Sequence, residues 1–256
     1  MFPILIKIGP FTLYTYGLMI AIGILVAVMV ARSEARRKSM DPDKIADLAF
    51  YLVIAGVVGA RLFYVATNPR LFMADPLEVF RIWNGGLVFY GAFITALIVC
   101  LVYLKKNRMP VWKVTDIFAP AVAIAHVFGR LGCFCAGCCY GKVCSLPWAV
   151  TFSNPDTLAR PIGVGLHPTQ LYDAINNLVI FSLLWLFRRR MKFDGQLFWI
   201  YILLYGVNRS VIETFRGDFR GEFIWGVFSI SQVIGSSLAL LAMIMLYRLY
   251  RRHAAS

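Results

Sequence analysis

Charge is scarce in this chain. Of its 256 residues only 15% are Asp, Glu, Lys or Arg, where a soluble domain carries about 25%. Acid is scarcer still, with 13 acidic against 26 basic residues and a net charge of +13. A surplus of base can mark a nucleic-acid surface, but 60% of the residues are hydrophobic and the mean hydropathy is +0.71. The basic residues therefore read as loops flanking lipid-embedded helices, with no nucleic-acid partner. Internal repeats, low-complexity tracts and linkers long enough to set off a soluble domain are also missing. Disorder, collagen and coiled coil are excluded, and the expectation is a single polytopic membrane domain over 1–256. Six cysteines are too few for a disulfide scaffold.

What is present are long apolar runs. A spanning helix needs about 20 mainly apolar residues, and seven such windows run approximately over 13–31, 45–66, 85–104, 114–132, 168–187, 195–214 and 225–247. The fold class expected is thus an all-α integral membrane protein of about seven transmembrane helices. The first run exceeds a signal-peptide core and ends in a basic loop, so it reads as a retained anchor. Sixteen Lys and Arg fall in the loops of one side and seven in those of the other, which predicts an outside N-terminus and a cytoplasmic C-terminus. The longest non-spanning stretch, 133–167, with Pro147, Pro155 and Pro161, reads as a small extracytoplasmic cap or loop.

Arg61, Arg130 and Arg209 lie inside or at the ends of these windows. An ionised side chain at mid-bilayer costs at least about 2.5–3.5 kcal/mol, so each needs a partner or a task. Interior ion pairs with Asp47, Asp116, Asp173 or Glu213 are one reading. The other is that Arg130 and Arg209, near outer helix ends at headgroup depth, bind phosphate through a guanidinium fork. Arg209, Glu213 and Arg216 recur at spacings of four and three and share one helical face; Arg220 adds charge nearby. Tyr16 starts the Tyr16-Gly17-Leu18-Met19 segment, and Gly85-Gly86 precede Tyr90-Gly91, where glycine permits close backbone approach. His126 reads as a core histidine, whereas His167 opens His167-Pro168-Thr169-Gln170-Leu171-Tyr172-Asp173, a polar helix start suited to capping or to positioning a substrate.

Five of the six cysteines crowd into Cys133, Cys135, Cys138, Cys139 and Cys144. A metal site using Cys135-x-x-Cys138, a disulfide on an oxidising face, a redox pair of Cys135 and Cys138, and plain small-residue packing all fit this pattern.

Taken in order, Tyr16-Gly17-Leu18-Met19, Gly59-Ala60-Arg61, Trp83-Asn84-Gly85-Gly86, Gly129-Arg130-Leu131-Gly132-Cys133-Phe134, His167 to Tyr172, and Tyr205-Gly206-Val207-Asn208-Arg209 with Glu213 and Phe215-Arg216 give a resemblance over nearly the whole length. The chain resembles the prolipoprotein diacylglyceryl transferases of the bacterial inner membrane. The resemblance implies an enzyme that moves a diacylglyceryl group from phosphatidylglycerol to the lipobox cysteine of a preprolipoprotein, without metal or nucleotide. It implies Arg130 and Arg209 as catalytic, with Tyr90 beside them. Tyr16, Arg61, Gly85, Gly86, His167, Gln170, Tyr205, Glu213 and Arg216 are implied as substrate-binding. Two departures stand out: Tyr90-Gly91-Ala92 where many members have His-Gly-Gly, and Cys133-Phe134, Ala136 and Cys138 where members carry asparagines and an acid. A membrane thiol oxidoreductase using the Cys133–Cys144 cluster is the alternative, and an anion transporter a more distant one.

Overall fold

The computed structural model describes residues 2–9, 11–81, 85–218 and 228–254. It is an all-helical integral membrane protein with small β elements at its edges. Among the described residues the order is β1 (Ile4–Ile8), β2 (Phe11–Tyr14), α1 (Thr15–Arg37), α2 (Pro42–Thr67), α3 (Pro69–Ala74), a 3-10 turn (Pro76–Phe80), α4 (Phe89–Lys106), α5 (Val111–Ala136), β3 (Val150–Thr151), β4 (Gly165–Leu166), α6 (Thr169–Phe187), α7 (Gln196–Glu213) and α8 (Ile230–Ala254). Each of the seven windows holds one long helix among its described residues. Six of these helices are long and apolar enough to cross a membrane. The seventh, α7, carries Asn208, Arg209 and Glu213 within 18 residues and falls short on apolarity.

The expected start of the first helix at residue 13 is corrected. Ile4–Ile8 and Phe11–Tyr14 pair as an antiparallel hairpin that runs straight into α1, because Gly9, at φ 57°, breaks two β-prone runs and lets the chain fold back before a helix can nucleate.

The chain divides into two compact units, Met1–Ala31 with Thr115–Ser256, and Arg32–Val114. In the first unit α5, α6 and α7 share a core of Ala119, Ala123, Ile180, Leu184, Leu197 and Tyr201. Without a hydrophobic driving force inside lipid, such helices associate by close packing of small residues and by buried polar bonds. Both devices are used. A Cβ on Gly206 would meet the Gly235 carbonyl oxygen at 2.6 Å, so α7 and α8 cross backbone to backbone. Asp116 of α5, fully buried, accepts from the Gly195 and Phe198 amides at 2.9 and 3.0 Å and caps the start of α7. Asp116 therefore answers two backbone amides at the start of α7. The segment after α5 has its own small core of Phe152, Ala159 and Leu166, sealed by Phe134, Tyr140 and Val150.

In the second unit Asp41 caps α2, accepting from the Asp43 amide at 2.9 Å. Gly59 of α2 and Gly91 of α4 face each other with no room for a side chain on either. The fourth helix begins at Phe89 rather than 85 because Gly85 and Gly86 take φ of 88° and 71°, which a helix cannot continue. Asp47, an expected arginine partner, is exposed on α2.

Candidate active site

In the first unit, the N-terminal ends of α1 and α6 meet the C-terminal ends of α5 and α7. Gly132 makes the first approach possible: a Cβ there would come within 3.1 Å of the Tyr16 ring and 3.3 Å of its carbonyl oxygen. Tyr16 is thus laid against α5 at Gly132, two residues along the chain from Arg130 and within electrostatic reach of it.

Arg130 projects to α6, where its Nε lies 3.0 Å from Asp173 Oδ2. Asp173 is 1% exposed and its other oxygen accepts from Asn208 Nδ2 of α7 at 3.2 Å. One carboxylate therefore joins three helices. Asn177 secures the same turn by donating to the Asp173 carbonyl oxygen at 2.8 Å. Arg209, buried on α7, lies 2.7 Å from Glu213 Oε2 and donates from Nη2 to Ser231 Oγ of α8 at 2.9 Å. The ion-pair reading thus holds for both arginines, with Asp173 and Glu213 as the partners.

Arg216 lies beyond the end of α7 but still reaches Glu213 at 3.8 Å, and its fork takes both oxygens of Asp218 at 2.9 and 2.8 Å. Arg220 falls outside the described residues. Gly141 brings the Arg216 segment and the His167 segment together, its Cβ position lying 2.5 Å from His167 Cβ and 2.7 Å from the Phe215 carbonyl oxygen. His167 Nδ1 sits 3.2 Å from Tyr172 Oη, which accepts from Trp148 Nε1 at 2.8 Å. Gln170 is buried and donates to the Cys138 carbonyl oxygen at 2.7 Å, so its amide orders the loop after α5. Tyr205 stacks on His126 at 5.2 Å, and His126 Nδ1 pairs with Tyr201 Oη at 3.0 Å, as a core histidine does.

The cysteines group differently from their sequence spacing. The Sγ atoms of Cys133, Cys138 and Cys139 all lie within 4.8 Å of one another, while Cys135 and Cys144 are outside this group. Helical geometry excludes a group of Cys133 with Cys135, since two residues turn about 200° around the axis. Helix α5 ends in a Schellman motif: Gly137 at φ 76° donates to the Phe134 carbonyl oxygen at 3.3 Å, and Cys138 donates to that of Cys133 at 3.2 Å. The reversal carries Cys138 and Cys139 back to Cys133. Hydrogen bonds from the Cys133 and Cys138 thiols, with Arg216 and against burial, lower the pKa of Cys139, while bonds to Cys133 and Cys139 raise that of Cys138. Burial works against the Arg216 charge, but Asp218 and Cys139 hold its pKa above the ordinary value.

In the second unit Arg61 is 5% exposed and donates to the carbonyl oxygens of Val79 (3.0 Å), Gly85 (2.7 Å), Gly86 (3.3 Å) and Glu78. Gly86 is glycine because a Cβ would strike the Tyr64 ring at 2.5 Å and Arg61 Nη1 at 2.8 Å. The close approach expected of the glycine pair is met here by a protein guanidinium. Trp83 and Asn84 lie outside the described residues. Tyr90 is exposed in the first turn of α4 with Phe89 as its ring neighbour.

The sequence profile of the prolipoprotein diacylglyceryl transferase family matches residues 3–248. The chain belongs to this family. It is 39% identical over 233 residues to the phosphatidylglycerol–prolipoprotein diacylglyceryl transferase of Clostridium tetani, covering 91% of each chain. It is 32% identical over 259 residues to that of Synechococcus elongatus, covering 97% of this chain and 89% of the relative. With that of Listeria welshimeri the identity is 30% over 250 residues, with 96% and 89% covered. Nothing in these relatives favours the thiol-oxidoreductase alternative. The sequence reading missed Ser231 as a site neighbour, although Ser229, Ser231 and Gln232 form a polar cluster where the apolar run of α8 begins.

Proposed function

We propose that this chain transfers the diacylglyceryl group of phosphatidylglycerol to the lipobox cysteine of a preprolipoprotein, in the bacterial inner membrane. The thiol sulfur attacks the glycerol carbon that bears the phosphate, the C–O bond breaks, and glycerol phosphate leaves as a thioether forms. The thiol proton ends on the departing phosphate or in solvent. The observation that carries the reading is the family match over residues 3–248.

Two groups fit the chemistry. Arg130, held with its Nε 3.0 Å from Asp173, grips the lipid phosphate through its guanidinium fork. Arg209, fixed by Glu213 and Ser231, supplies fixed positive charge for the phosphate as it departs or for the thiolate as it forms. Tyr16 positions the headgroup beside them. His167, Gln170, Tyr205, Glu213 and Arg216 act by holding the ends of α5, α6 and α7 in register. Arg61, Gly85 and Gly86 act as a clamp on the 78–86 loop, and Tyr90 contributes a hydrogen bond to substrate. The N-terminus faces outward, the C-terminus faces the cytoplasm, and 133–167 forms the extracytoplasmic cap.

The test is mass spectrometry of a lipobox peptide incubated with purified protein and phosphatidylglycerol in the presence of a reductant. A diacylglyceryl mass gain on the peptide cysteine is expected. No gain from folded protein with this lipid would overturn the proposal.

A further inference from the structure

The transfer described above makes no use of the three thiols grouped at the end of α5, and the oxidoreductase alternative has nothing to support it. What the three sulfurs do have is a common centre. A thiolate binds zinc at about 2.3 Å, and three such ligands around one ion lie about 3.8–4.0 Å apart. The Sγ atoms of Cys133, Cys138 and Cys139 already lie within 4.8 Å of one another, so sub-ångström side-chain adjustment closes the site.

The backbone holds them there. Gly137 turns the chain in the Schellman motif, and Cys139 itself takes φ 62°, a left-handed conformation that a non-glycine residue keeps only when its surroundings impose it. Thr169 Oγ1 donates to the Cys139 carbonyl oxygen at 2.7 Å and Gln170 Nε2 to that of Cys138 at 2.7 Å. Both donors are buried at the start of α6. The thiol pair is thus presented by a turn tied at two consecutive carbonyls. Positive charge is also at hand, since Arg216 lies within electrostatic reach of Cys139, and Arg130 of Cys133 and Cys139. Three thiolates around a mono- or divalent ion leave net negative charge, which these guanidiniums offset.

We infer that Cys133, Cys138 and Cys139 form a three-thiolate site for a thiophilic d10 metal ion, zinc(II) or copper(I). Each sulfur gives its proton to solvent as its bond to the ion forms. The bound ion staples the last turn of α5, one turn from Arg130, to the loop entering α6. Cys135 and Cys144 take no part. The site is independent of the transfer reaction, so its failure leaves that proposal standing.

The experiment uses the full-length protein purified anaerobically in detergent, loaded separately with zinc(II) and copper(I), freed of excess metal and analysed for bound ion. It is followed by alkylation with iodoacetamide and peptide mass spectrometry. The expected result is one equivalent of at least one of the two ions, and at least tenfold slower alkylation of Cys133, Cys138 and Cys139 with Cys135 and Cys144 unchanged. Cys139→Ser and Cys133→Ser should lose the bound equivalent, while Cys135→Ser keeps it. Failure of both ions to bind wild-type protein would overturn the inference, as would equal protection of all five cysteines or recovery of two of the three as a disulfide. Because binding and protection are read on wild-type protein, a variant that fails to fold does not shelter the idea.

Discussion

Arg61 and Arg130 are the same residue type facing the same problem in different units, and the chain solves it in two ways. Arg61 spends its guanidinium on carbonyl oxygens of residues 78–86 and stacks near Tyr64 and Phe72, at 5.6 and 5.4 Å. Its donors go to backbone carbonyls, and the Glu78 carboxylate stands further off at 3.9 Å. Arg130 faces the buried carboxylate of Asp173, its Nε 3.0 Å from Oδ2. The difference teaches that burial of a charge does not by itself mark a functional site. What the remaining donors face is the informative quantity.

The comparison can be broken by experiment. Arg61→Ala should cost the most, about 3–5 kcal/mol of stability, as expected when one partner of a buried charged network is removed. It would appear as a lowered melting temperature in detergent, with turnover per folded molecule close to wild type. A normal melting temperature would end the clamp reading. Arg130→Ala should lower transfer about 10²–10³-fold, the cost of deleting one positioned donor at a charge-developing site. Arg130→Lys sharpens this, since a lysine keeps a charge for Asp173 but cannot offer a fork, so transfer should fall while the melting temperature holds. A Lys variant with full activity would show that charge alone suffices.

Gly86→Ala should cost about 1–3 kcal/mol through its φ of 71° and its crowding against Tyr64 and Arg61. Gly85→Ala, at φ 88° but with open space around the Cβ, should cost less, about 1 kcal/mol. Denaturation of the two variants side by side separates strain from crowding, and equal losses would assign everything to strain. The smallest effect is expected from Tyr90→Phe. An exposed phenol that donates one hydrogen bond is worth about 0.5–1.5 kcal/mol, so transfer should fall by less than about tenfold. A hundredfold loss would promote Tyr90 to a central catalytic group.

Much of the architecture is legible from local pattern. Each of the seven helical windows is a contiguous apolar run, and its length and flanking charge are properties of neighbouring residues. The N-terminal hairpin was missed because an apolar run entering a spanning helix hides a short strand pair. The motif order pointed to Arg130 and Arg209, but Asp173 and Glu213 stood only among four candidate acids. Of those, Asp116 caps α7 and Asp47 is exposed. The Cys135-x-x-Cys138 spacing stood among several open readings of the cysteine group, and what it could not show is that Gly137 turns the chain so that Cys133 meets Cys138 and Cys139. That signal was present, as a glycine one residue past a helical run, and only its consequence for the thiols needed three dimensions.

By itself the sequence determined the helical membrane fold, the order of its motifs and the family to which the chain belongs, because these depend on composition, run length and residue identity along the chain. Only the tertiary structure decided which carboxylate each arginine meets, that Arg61 clamps a loop, and that three of five neighbouring cysteines converge. Those outcomes depend on which helix ends are brought together, and that is set by glycine crossings and buried polar bonds between residues far apart in the chain.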